Sequence, residues 1–170
     1  YTTLFRSDGI KPLAKICDSD DKGIFVLVKT SNPSSGELQD MKLETNESVY
    51  EHMGKMCEGW GEDLMGKHGY SAVGAVVGAT YPEQLGEMRA KLPHTFFLVP
   101  GYGAQGGGAD DVKNAFDENG LGAIINSSRG IMCAWKKQGL TEDDFAVAAR
   151  KEAERMRDEI VGCIGKIKLG

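Results

Sequence analysis

Two stretches of the chain carry residues that could do chemistry. Phe97-Leu98-Val99-Pro100-Gly101-Tyr102-Gly103-Ala104-Gln105-Gly106-Gly107-Gly108 and Gly122-Ala123-Ile124-Ile125-Asn126-Ser127-Ser128-Arg129-Gly130 are each a short apolar run that empties into small or polar residues. Glycines at such a run's end let backbone N–H groups come close to an anion, which a side chain would prevent. Gln105 adds a neutral donor, and Arg129 adds a fork-shaped cation whose paired N–H groups match two phosphate oxygens. A charge-assisted bond of that kind contributes roughly 1.5–3 kcal/mol. Together the two stretches read as a phosphate grip at neighbouring strand ends. Glycine-rich loops and solvated arginines are also common in proteins that bind no phosphate, so the grip requires that the two loops meet in space.

Other chemistry fits less well. Gly101-x-Gly103-x-x-Gly106 matches the dinucleotide fingerprint, which needs an acidic residue about 20 positions on to hold a ribose hydroxyl. Ile124, Ile125 and Asn126 stand there instead, and the fingerprint belongs in a first βα unit. Lys29 reads as a strand-end lysine extended toward solvent or packed along its stem, and Asp110 with Asp111 as carboxylates complementing a helix N-terminus. Cys17, Cys57, Cys133 and Cys163 are widely spaced, with only His52, His68 and His94 beside them. That pattern favours neither a metal site nor a disulfide framework, and a reduced cytosolic setting fits it.

The elements that must position these residues follow from apolar patterning. Gly23–Thr30, Ala72–Thr80, Thr95–Val99 and Leu121–Asn126 are nearly continuous apolar runs, as expected of parallel strands covered on both faces. Helical patterns lie around them: Pro12–Asp18, Asn46–Lys67, Pro82–Leu92, Ala109–Glu118 and a last helix launched by Thr141 and reaching Ile164. That last helix would turn Phe145, Ala149, Ala153 and Met156 inward. At 170 residues the chain suits one domain. Its net charge of -5 and pI near 5.3 argue against a nucleic-acid binder. Its longest apolar stretches are too short to span a bilayer.

A repeated strand–helix unit makes an α/β fold with a parallel sheet, and such sheets bind at the carboxyl ends of their strands. Here those ends read Thr30-Ser31-Asn32, Thr80-Tyr81, Pro100-Gly101-Tyr102-Gly103 and Asn126-Ser127-Ser128-Arg129. In eight-stranded barrels phosphate commonly sits after strands seven and eight. With the grip on the last two strands, the four units here would be strands 5–8, the C-terminal half of a TIM (β/α)8 barrel.

Four motifs, in order and in register, resemble one family. Val28-Lys29-Thr30-Ser31-Asn32-Pro33, Val76-Val77-Gly78-Ala79-Thr80-Tyr81-Pro82-Glu83, Val99 to Gly107 and Ile125 to Gly130 look like orotidine 5′-phosphate decarboxylase of the longer bacterial type. The resemblance implies a TIM-barrel homodimer, without metal or organic cofactor, that converts orotidine 5′-monophosphate to UMP and carbon dioxide. It implies that Gln105 and Arg129 hold the 5′-phosphate with the Ser128 and Arg129 amides nearby. Ser31 would read the pyrimidine edge, and Pro100 would form the apolar wall near the reacting carboxylate. The family's catalytic lysine and aspartates would lie on strands before Asp8, so none is expected in this chain.

Tyr1-Thr2-Thr3-Leu4-Phe5-Arg6-Ser7 reads as the translation of a sequencing adaptor, leaving 8–170 as the C-terminal half of the decarboxylase domain. Two alternatives share the phosphate grip: another sugar-phosphate barrel enzyme (an aldolase, synthase or epimerase), and a non-catalytic phosphate-binding module complete as it stands. For that module a soluble, cooperative monomer is expected, whereas half a barrel should expose apolar strand edges and associate or aggregate.

Overall fold

Parallel strand pairing organises the chain, seen in a computed structural model that describes residues 7–103, 107–165, 167 and 168. Helix α1 (Ser7–Asp20) leads into β1 (Ile24–Lys29). A 3-10 turn (Pro33–Ser35), the short α2 (Gly36–Gln39) and α3 (Val49–Trp60) then precede β2 (Val73–Val77). Helix α4 (Pro82–Lys91) connects to β3 (Phe97–Pro100), and α5 (Ala109–Val112), continued as a 3-10 turn (Lys113–Ala115), connects to β4 (Ala123–Asn126). After β4 come α6 (Ser128–Met132), α7 (Ala134–Lys137), a 3-10 turn (Glu142–Asp144) and α8 (Phe145–Ile164). The sheet order is β1-β2-β3-β4, with every pair parallel. This is four successive strand–helix units of a (β/α) barrel.

The two sheet faces differ. Val26, Val28, Val73, Ala75, Val77, Phe97 and Val99 pack into one core with Leu85, Met88 and Leu92 beneath α3 and α4. On the other face the register aligns Leu27, Val76, Leu98 and Ile124 in a row. Phe25, Leu27 and Ile124 are about half exposed there, so the edge strands are apolar on both faces but covered on one.

Several element boundaries differ from the expected ones for local reasons. Helix α1 begins at Ser7 and takes Pro12 inside it rather than at its start. The expected helix Asn46–Lys67 starts at a capping box, Ser48 with Glu51, and stops at Trp60. Beyond Gly61 the Leu64 N–H returns to the Gly61 carbonyl, and Met65 bridges antiparallel to Ser71. The expected helix Ala109–Glu118 tightens to 3-10 after Val112, with Phe116 already extended. Helix α8 buries Ala148, Met156 and Ile160, whereas Phe145 and Ala153 are exposed. A 3.6-residue period started from Ala148 rather than Phe145 gives this face. Among the described residues no helix is long and apolar enough to cross a membrane.

Candidate functional site

The carboxyl ends of β3 and β4 stand level, Pro100 pairing with Asn126 in the parallel ladder. Glycine shapes the loop beyond each of these strands. Gly101 (φ 108) and Gly103 (φ 77) sit in the left-handed region that residues with a Cβ avoid. They turn the chain so that the Gly103 N–H donates to the Gly107 carbonyl at 2.7 Å, pinching the loop at its base. Beside it, the buried Ser127 hydroxyl donates to the Tyr102 carbonyl at 2.8 Å, joining the two strand-end loops. A Cβ at Gly130 would lie 2.3 Å from Ser127 Oγ, so that hydroxyl keeps its place because residue 130 has no side chain.

Tyr102 is the loop's anchor. Its ring is buried, and its hydroxyl donates to Glu159 of α8 at 2.6 Å. Burial and the neighbouring carboxylate push its pKa up to about 12, so it is a neutral donor throughout the physiological range. Glu159, which also accepts from Arg155, is held below the usual carboxylate range by the Tyr102 hydroxyl and then by that arginine.

A cavity of about 160 Å³ opens between these loops and the end of β1, lined by Ser31, Pro100, Gly101, Tyr102, Asn126, Ser127, Ser128 and Arg129. Ser31, Pro100, Ser128 and Arg129, expected from sequence as site residues, thus share one cavity. Gln105 lies outside the described residues. Arg129 is exposed at the start of α6, and among the described residues no carboxylate pairs with it. Ser128 exchanges hydrogen bonds with the Asn126 amide at 3.3 and 3.4 Å. The arrangement offers a cation, hydroxyl and amide donors and an apolar proline at one polar mouth, which suits a small anion. Sequence placed Tyr102 and Ser127 at these strand ends without a role for either; the left-handed glycines around Tyr102 were the available signal that it anchors the loop.

Of the two placements expected for Lys29, solvent-extended or packed along its stem, the structure excludes the first. Instead of reaching solvent it is 1% exposed, its Nζ donating to Asp40 at 2.7 Å and lying 5.4 and 5.1 Å from the ring centroids of Tyr50 and Tyr81. Asp110 pairs with Lys113, and Asp111 accepts the Gly108 N–H, as expected of carboxylates at a helix start. His94 is occupied elsewhere, its N–H donating to Glu58 and its ring meeting the Gly69 carbonyl. Among the described residues no three His, Cys, Asp or Glu side chains gather as a metal site, and the four cysteines are free. The dinucleotide reading is not favoured: its glycines follow the third strand and lead into a helix of only four residues.

Parallel strands with helices on one face, and a polar mouth at their carboxyl ends, define a protein of the (β/α)-barrel class. Residues 3–140 match the orotidine 5′-phosphate decarboxylase / HUMPS family, and the chain belongs to that family. It is 44% identical over 159 residues to orotidine 5′-phosphate decarboxylase of Rhodopirellula baltica, covering 91% of this chain and 52% of that protein. It is 45% identical over 157 residues to the same enzyme of Caldicellulosiruptor bescii, covering 92% and 50%. Among solved structures, OMP decarboxylase of Leishmania donovani superposes with a TM-score of 0.67 at 32% identity, over 91% of this chain and 53% of that one. UMP synthase of the same organism gives 0.69 at 35% identity, over 91% and 31%. The chain spans about half the length of the curated relatives it matches.

Proposed function

We propose that this chain is the C-terminal half of an orotidine 5′-phosphate decarboxylase, residues 8–170 supplying the phosphate- and base-binding side of the active site. One observation carries the reading: Ser31, Pro100, Ser128 and Arg129, each matched to a family motif, line a single cavity at the strand ends. The reaction breaks the bond between C6 of the pyrimidine and its carboxylate, releases carbon dioxide and places a proton on C6 to give UMP. The lysine and aspartates that the family uses for that step belong to strands preceding Asp8, so the chain alone would bind without turning over. Arg129 and Gln105 would hold the 5′-phosphate, Ser31 would read the pyrimidine edge, and Pro100 would wall the departing carboxylate from water. Phosphate contacts remote from C6 still serve the rate when their binding energy is expressed in the transition state. The complete enzyme would act in the cytoplasm as a homodimer on orotidine 5′-monophosphate, with no metal or organic cofactor.

The test uses the longer protein that carries the residues preceding Asp8. It should convert orotidine 5′-monophosphate to UMP, and Arg129→Ala should raise KM by about 10–150-fold, the equivalent of one charge-assisted phosphate bond. A KM left unchanged would remove Arg129 from the phosphate site.

A further inference from the structure

A lysine on the helix-facing side of a strand otherwise built of Val, Ile, Leu and Phe is costly, because burying an ammonium sacrifices its hydration unless partners replace it. Lys29 has such partners: the Asp40 carboxylate at 2.7 Å, and the faces of Tyr50 from α3 and Tyr81 at the start of α4. It reaches them because the β1–β2 register shifts between Leu27 and Lys29, which turns Val28 and Lys29 both to the buried side. Asp40 in turn fits because residue 36 is glycine: a Cβ there would stand 2.7 Å from the Asp40 carboxylate oxygen.

The next link repeats the pattern. Thr30 donates its N–H to Gln39 Oε1 at 3.0 Å, so consecutive residues Gln39 and Asp40 grip consecutive residues Thr30 and Lys29. Ser31 comes directly after. Its backbone packs against Gly78, where a Cβ would come within 2.9 Å of the Ser31 N and 2.8 Å of its Cβ, and its carbonyl accepts from Thr80 Oγ1 at 3.1 Å. The Lys29 carbonyl takes the Gly78 N–H at 2.8 Å, which locks the same strand end to β2. None of these contacts uses the Ser31 hydroxyl, and Ser31 lines the strand-end cavity.

We propose that the pair of buried Lys29 and half-exposed Asp40, the ammonium lying between Tyr50 and Tyr81, is a positioning device that fixes the end of β1 so that Ser31 meets the base of a bound nucleotide. The inference rests on the reading of Ser31 given above and assigns Lys29 no contact with substrate. It predicts a selective defect. Loosening the pair misplaces the residue that reads the base and leaves the phosphate side, built on β3 and β4, intact.

The experiment compares UMP with ribose 5-phosphate, which carries the phosphate and sugar but no base, in the longer protein. Lys29→Met and Asp40→Asn should each weaken UMP binding and lower kcat/KM by about tenfold, the loss of one aligned hydrogen bond, with ribose 5-phosphate affinity changed less than about twofold. The double variant should be no worse than either single one, because both break the same link. Asp40 is 42% exposed at its side chain, so Asp40→Asn keeps the test open should Lys29→Met fail to fold. Equal losses for both ligands, or none for either, would overturn the proposal. Wild-type protein that binds ribose 5-phosphate as tightly as UMP would instead overturn the reading of Ser31, and this inference with it.

Discussion

Gly130 does more for the mouth than its size suggests. The Ser127 hydroxyl that joins the two strand-end loops occupies the place a side chain at residue 130 would take. Gly130→Ala should push that hydroxyl from the Tyr102 carbonyl and cost about 1–3 kcal/mol, the penalty for a buried polar group left unmatched. Denaturant unfolding of wild type and variant measures it, and equal midpoints would show that Ser127 can relax without loss. At this scale the sequence singled out residues that the structure brings to one cavity. Residue types at strand ends located Ser31, Pro100, Ser128 and Arg129, because a parallel sheet places its loops by a general rule. They did not reveal the burial of Lys29, because one tyrosine that receives its ammonium lies in α3 and the other just before α4, and only folding brings them together.

Secondary elements were legible wherever the pattern was local. The strand runs were found within a few residues, since a run of branched apolar residues identifies itself. Helix ends were harder to read. Helix α3 has an explicit start signal, the capping box of Ser48 and Glu51, but its stop at Trp60 depends on contacts of the segment beyond it. The same box carries a pH dependence. The Lys91 ammonium, with the Ser48 hydroxyl and N–H, lowers the Glu51 pKa to about 2. A folded-state pKa below the unfolded value means that the stabilisation is complete above the unfolded value, about 4.3, and disappears as pH falls toward 2. Thermal unfolding followed from pH 6 to pH 2 should therefore show a falling Tm, with Glu51→Gln less stable at pH 6 and shallower in slope. Parallel curves for the two proteins would remove Glu51 as a source of that slope.

The whole molecule is lopsided, with helices over one sheet face and the row Leu27, Val76, Leu98 and Ile124 on the other. Continuous apolar runs correctly marked strands that suit burial on both faces, yet Leu27 is 54% and Ile124 53% exposed. The half-barrel expectation foresaw bare strand edges but not a bare face, because strand composition records the environment a strand suits and not what covers it in this chain. Leu27→Lys should therefore have opposite effects in two contexts. It should favour the monomer of residues 1–170 in sedimentation, by placing a charge on an exposed apolar row. In the longer protein, where the same position would line a closed barrel, it should destabilise by roughly 3 kcal/mol or more. A Tm unaltered in the longer protein would show that Leu27 does not face an interior there. Helix α8 adds a last consequence, since it lies beyond residue 140, where the family match ends, yet its Glu159 receives the Tyr102 hydroxyl. Trimming the polypeptide back to the shared stretch would strip the underside from the rim, leaving a phenol and the apolar patch around it bare to water.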